Sequence, residues 1–160
     1  MSRLVQAVVK PLRAAPTTAR VSFESARQSL GGHAIPQNVY SDLLGKPFAP
    51  SARGPESFDC VGIALEIAKR LGKQLPAFVS SEAELHAQLG AGNASLADLP
   101  QIARPVPGCI VLLRISPSEH HVAFMIDEYR MIHTMKGINC SIERINSSLW
   151  QRRVIGFYRL

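Results

Sequence analysis

Between positions 59 and 71 the apolar residues Val61, Ala64, Leu65, Ala68 and Leu71 recur every three or four positions. That spacing predicts a helix with one buried stripe. Asp59 or Ser57 can cap its start, and Gly72 supplies a stop. Upstream, residues 21–30 have the length of a short helix ended at Gly31-Gly32, and residues 36–44 predict another helical turn or two. Ser81-Glu82-Ala83-Glu84 has capping-box spacing and predicts a helix to about position 89, before Gly90-Ala91-Gly92. The second half of the chain changes character. Short apolar runs predict strands over 109–115, 121–126, 130–134 and 154–159, with a proline-punctuated connector over 99–108 and a helical turn over 145–150. Helices followed by an antiparallel sheet indicate an α+β domain.

Strand parity sharpens the picture. His121, Ala123 and Met125 share one face, while Val122, Phe124 and Ile126 share the other. A three-residue loop centred on Glu128 places His133 opposite Ala123, one diagonal step from His121. Two imidazoles so placed are close enough to pair. The parity of His120 turns it away, toward the rim or solvent. His33 and His86 have no sequence partners and are read as surface residues.

These positions carry chemistry. Cys60 opens the helix, where the macrodipole and unpaired amides favour a thiolate. His121 can hold that thiolate as an ion pair and later protonate a leaving group. His133 can orient His121, the role of a third triad member. Cys60, His121 and His133 are therefore the candidate catalytic residues of a cysteine hydrolase. Two plainer uses compete: a buried structural thiol, and a zinc site drawing on Cys60, His121, His133 and Cys140. No pair among those four has short metal-ligand spacing.

Charge and cysteine content narrow the setting. The net charge of +6 suits an anionic partner. The basic residues are scattered without aromatic interleaving, which disfavours nucleic acid. Three cysteines far apart give no disulfide framework; Cys109 and Cys140 read as small buried side chains. No segment has the length of a membrane span. The first acidic residue is Glu24, after Arg3, Lys10, Arg13 and Arg20, and Pro11 and Pro16 interrupt any long helix there. Residues 1–30 are accordingly read as a basic, loosely held docking arm without the apolar core of a secretory signal, and residues 31–160 as the catalytic domain.

Beyond these readings lies a resemblance. Leu44-Gly45-Lys46-Pro47-Phe48, Phe58-Asp59-Cys60-Val61-Gly62-Ile63, Leu71-Gly72 with Leu75-Pro76, Pro107-Gly108-Cys109, His121-Val122-Ala123-Phe124 and Met131-Ile132-His133-Thr134 follow one another in order. The series resembles the NlpC family of cell-wall peptidases. The ending, Trp150-Gln151-Arg152-Arg153 with Gly156-Phe157-Tyr158-Arg159, is similar to the phage-tail and gene-transfer-agent branch. Three positions depart from the pattern: Cys109 stands where Asp is usual, Ala123 for Gly and Thr134 for Ala. The resemblance implies a papain-like fold in which N-terminal helices, the nucleophile helix among them, pack on an antiparallel sheet. It implies a cysteine endopeptidase cutting an amide bond of peptidoglycan stem peptides, the γ-D-glutamyl–diaminopimelate bond, with no metal or organic cofactor. Tyr40, with Asp59, is the candidate for oxyanion or substrate contact. Phage-tail proteins are the implied partners of the arm. The expected setting is synthesis in the bacterial cytoplasm without a signal peptide, then delivery to the cell wall on a virion or tail. The alternative is a tail-assembly protein that keeps the fold and little activity.

Overall fold

A computed structural model describes residues 33–75 and 99–160; the helices expected over 21–30 and 81–89, the arm over 1–30, and His86 lie outside the described residues. The predicted helix is present as α1, Cys60–Arg70, and buries Val61, Ile63, Ala64, Ile67 and Ala68 along one side. Asp59 caps it in extended backbone, with its side chain accepting the Gly62 N–H. At the other end Gly72 adopts φ +68° and the Lys73 N–H donates to the Ala68 carbonyl, a left-handed stop that glycine makes without strain. Lys69 and Arg70 occupy the last turn, where cations complement the helix dipole. The turns expected over 36–44 are two short 3-10 helices, Gln37–Val39 and Ser41–Leu43.

Among the described residues six strands follow: β1 Gln101–Ile102, β2 Cys109–Ser116, β3 Glu119–Met125, β4 Arg130–Met135, β5 Ile138–Arg144 and β6 Val154–Arg159. They form one sheet in the order β1-β6-β2-β3-β4-β5, antiparallel throughout. Two of these strands were not read from the pattern. β1 is a two-residue pairing inside the expected connector. β5 occupies a stretch given no element, although Ile138, Cys140 and Ile142 alternate with Asn139, Ser141 and Glu143. The expected helical turn over 145–150 is a run of hydrogen-bonded turns instead, including Trp150 N–H to the Ser147 carbonyl.

The hairpin register is the one parity required. Phe124 pairs with Ile132 and Met125 with Met131, and the Ile126 N–H donates to the Arg130 carbonyl. Residues 127–129 therefore form a three-residue loop. Asp127 pins it by accepting the backbone N–H groups of Tyr129 and Arg130.

Both faces of the sheet are covered. α1 packs across β3 and β4; Val61, Ile63 and Ile67 share a buried cluster with Ile110, Leu112, Val122, Phe124 and Ile132. The alternate positions Val111, Leu113, Ala123, Met125 and Met131 form a second cluster with Trp150 and Phe157. Each fully buried aliphatic or aromatic side chain contributes about 1.5–3 kcal/mol relative to exposure. This two-sided cover corrects the reading of His120. It is 8% exposed, because a strand sandwiched on both faces has no solvent side to offer its alternate residues.

Candidate active site

The start of α1 is held by a loop that returns against it. The Asp59 carboxylate, wholly buried, accepts the Gly62 N–H at 2.6 Å and a guanidinium N–H of Arg53 at 2.5 Å through the same oxygen, Oδ1. The Ala52 carbonyl accepts the Asp59 N–H at 3.1 Å and an Arg53 N–H at 3.0 Å. Glycine at position 62 permits this. A Cβ there would lie 2.4 Å from the Ala52 oxygen, so the close approach of loop to helix depends on its absence. Cys60, the first helical residue, is 1% exposed and lies at the N-terminus of α1.

Asp59 thus serves the backbone that carries Cys60. Tyr40, joining the two 3-10 helices, is 6% exposed and belongs to the same buried cluster as Cys60.

β3 and β4 bring the two histidines together. His121 Nε2 and His133 Nδ1 are 2.9 Å apart, with the rings edge to face at 76°. Both residues are buried, at 1% and 0% exposure. Burial lowers the His133 pKa below its ordinary 6.5, and the neighbouring Glu143 carboxylate opposes that shift without cancelling it. His133 Nε2 lies 3.2 Å from Glu143 Oε1. Trp150 Nε1–H donates to Glu143 Oε2, and the Trp150 ring stacks on His121 at a centroid separation of 6.2 Å. Glu143 and Trp150 were not read as site residues. Glu143 sits on the unrecognised strand β5, two positions from Ser141, the partner of His133 in the ladder; the alternation of that strand was the available signal.

The other two cysteines have different surroundings. Cys109, where the NlpC pattern usually has Asp, is fully buried and its Sγ accepts the Val106 N–H at 3.5 Å. Burial pushes its thiol up to about 11 and that of Cys140 up to about 12.

The sequence profile of the NlpC/P60 family matches residues 45–159, a span that contains Cys60, both histidines, Glu143 and Trp150. The chain belongs to the NlpC/P60 family. It is 26% identical over 117 residues to a probable endopeptidase p60 from Listeria grayi, covering 73% of this chain and 20% of that protein. The chain therefore spans about a fifth of the length of that curated relative. Among solved structures it resembles NlpC1 from Trichomonas vaginalis, with a TM-score of 0.55 and 19% identity over 76% of this chain and 41% of that one. It also resembles the NlpC/p60 domain of the peptidoglycan hydrolase SagA, with a TM-score of 0.55 and 16% identity, covering 82% of this chain and all of that domain. At these identities the structural likenesses establish the fold, and the α+β papain-like architecture of NlpC/P60 domains is the one seen here.

Proposed function

We propose that this NlpC/P60 chain is a cysteine peptidase that hydrolyses an amide bond in peptidoglycan stem peptides. The observation that carries the reading is the buried His121–His133 pair, bonded on the two strands against which the Cys60 helix packs. In the reaction, the Cys60 thiolate attacks the scissile carbonyl and the Cys60 backbone amide stabilises the oxyanion. The C–N bond breaks as His121 delivers a proton to the departing amine. Water, deprotonated by His121, then cleaves the thioester and returns the thiol. His133 orients His121 throughout. The Tyr40 hydroxyl is a candidate second oxyanion donor.

The γ-D-glutamyl–diaminopimelate bond is the proposed target, on the resemblance of the ordered motifs. The closing Trp150 to Arg159 segment and the basic arm support delivery by a phage tail or related particle, with tail proteins as partners. Purified protein and a Cys60→Ala variant incubated with peptidoglycan digests, followed by chromatography and mass spectrometry of muropeptides, test the whole reading. New amino termini at diaminopimelate are expected with the native chain only. Release by both proteins would remove Cys60 from the mechanism. Release by neither would favour the structural tail-protein alternative.

A further inference from the structure

We propose that Glu143, held by Trp150, is a positioning residue that dictates where the protons sit in the His121–His133 pair. Its consequence for turnover rests on the peptidase reading above; the proton arrangement itself does not.

The proton positions follow from which atoms can donate. An indole N–H is a donor only, so Trp150 Nε1–H occupies Glu143 Oε2 as an acceptor. The carboxylate turns its other oxygen, Oε1, toward His133 Nε2 at 3.2 Å. A carboxylate accepts, so His133 must carry its proton on Nε2. Burial lowers the His133 pKa and so favours the neutral ring, whose Nδ1 then has a lone pair. That lone pair faces His121 Nε2 at 2.9 Å, so His121 must in turn carry its proton on Nε2. His121 Nδ1 is then the nitrogen left to exchange the proton with Cys60 and the leaving amine. One indole donor thus propagates through three acceptor–donor steps to the nitrogen that does the chemistry. The surrounding charge supports the arrangement. The Arg153 guanidinium lies 5.9 Å from the Trp150 ring centroid and donates to the Ile115 carbonyl. Outer hydrogen-bond partners of a functional histidine generally act in this way, fixing ring orientation and tautomer.

The substitution Glu143→Gln reverses the relay at one atom. Trp150 still needs an acceptor, so it takes the amide oxygen and leaves the amide N–H₂ facing His133 Nε2. His133 must then move its proton to Nδ1, and His121 to its own Nδ1, the wrong nitrogen for a base. A wrong tautomer in a comparable triad costs on the order of 10⁴ in kcat; one residue further out, a loss of at least about tenfold in kcat is expected.

Long-range ¹H–¹⁵N NMR of imidazole-labelled protein reads the tautomers directly. Nε2–H with an unprotonated Nδ1 is expected for His133 in the native protein, and the Nδ1–H form in Glu143→Gln. In the double variant Glu143→Gln with Trp150→Phe the amide is free to turn, and the Nε2–H form and part of the lost kcat should return. A native His133 protonated on Nδ1 overturns the proposal even if no variant folds. Unchanged tautomers in a folded Glu143→Gln protein, or altered tautomers with kcat within about twofold of native, overturn it as well. Retained activity in Cys60→Ala would instead sink the peptidase reading while leaving the tautomer result standing.

Discussion

Replacing Gly62 with alanine sets two effects of opposite sign against each other. In a helix interior the change ordinarily stabilises by about 0.5–1 kcal/mol, since glycine loses more backbone freedom on folding. Here the new Cβ would sit 2.4 Å from the Ala52 oxygen, where contacts under 3.0 Å are essentially unknown. The carbonyl must retreat by about 0.6 Å, and it is not free to do so. It accepts the Asp59 N–H at 3.1 Å and an Arg53 N–H at 3.0 Å, bonds whose net value is about 0.5–1.5 kcal/mol each. The same Cβ would lie 3.3 Å from Asp59 Oδ1, crowding a cap whose loss costs about 1 kcal/mol. Forced overpacking of this kind typically costs about 1–3 kcal/mol. The clash therefore outweighs the entropy gain, and a net destabilisation of about 1–2 kcal/mol is expected. For a domain of this size that lowers Tm by about 3–8 °C, measurable by calorimetry or circular dichroism melting. A Gly62→Ala protein with an unchanged or raised Tm would refute the argument that this glycine exists to admit the Ala52–Arg53 loop.

Three further outcomes are expected. At pH 7 iodoacetamide should label Cys60 in the native protein well before Cys109 or Cys140, whose thiols burial pushes up to about 11 and about 12; equal labelling of the three, read by peptide mass spectrometry, removes the thiolate assignment. Because burial lowers the His133 pKa below 6.5, the unfolded chain takes up that proton first, so stability should fall as pH drops below about 6.5. His133→Asn should flatten the Tm profile between pH 7 and 5, and an identical slope in both proteins would count against the shift. Deleting residues 1–30 should leave Tm and cleavage of soluble muropeptides nearly unchanged while weakening adsorption to anionic envelope or tail components, a prediction motivated by the absence of any acidic residue before Glu24; a drop of several degrees in Tm would show that the arm packs on the domain.

Much of this fold is set by contacts between residues close in sequence. The period of α1, its Asp59 cap and its Gly72 stop all depend on residues within one or two helical turns of each other, so they are visible in one dimension. The same holds for the hairpin between β3 and β4. Strand parity and a three-residue loop are enough to place His133 opposite Ala123, and the observed register agrees. The ordered motifs around Cys60, His121 and His133 identified the family because sequence resemblance needs no coordinates.

What tertiary structure alone decided depends on groups far apart in the chain. Strand β5 pairs with β4, and its alternation of Ile138, Cys140 and Ile142 with polar residues is only partly buried, a weak signal without that partner. Only its position beside β4 brings Glu143 to His133, and only the turns after β5 bring Trp150 to Glu143. Whether His120 faces solvent is likewise not a property of its strand. It depends on what covers each face of the sheet, and both faces here are covered. Asp59 shows the same division within one residue. Its capping role follows from its place before the helix, but its burial against Arg53 follows from a loop that folds back onto Gly62. Hydrogen bonds between neighbours in sequence are legible because chain geometry alone can make them. Those that assemble the site need the sheet order to bring distant donors and acceptors within hydrogen-bonding reach, and that order is set by the packing of the whole domain.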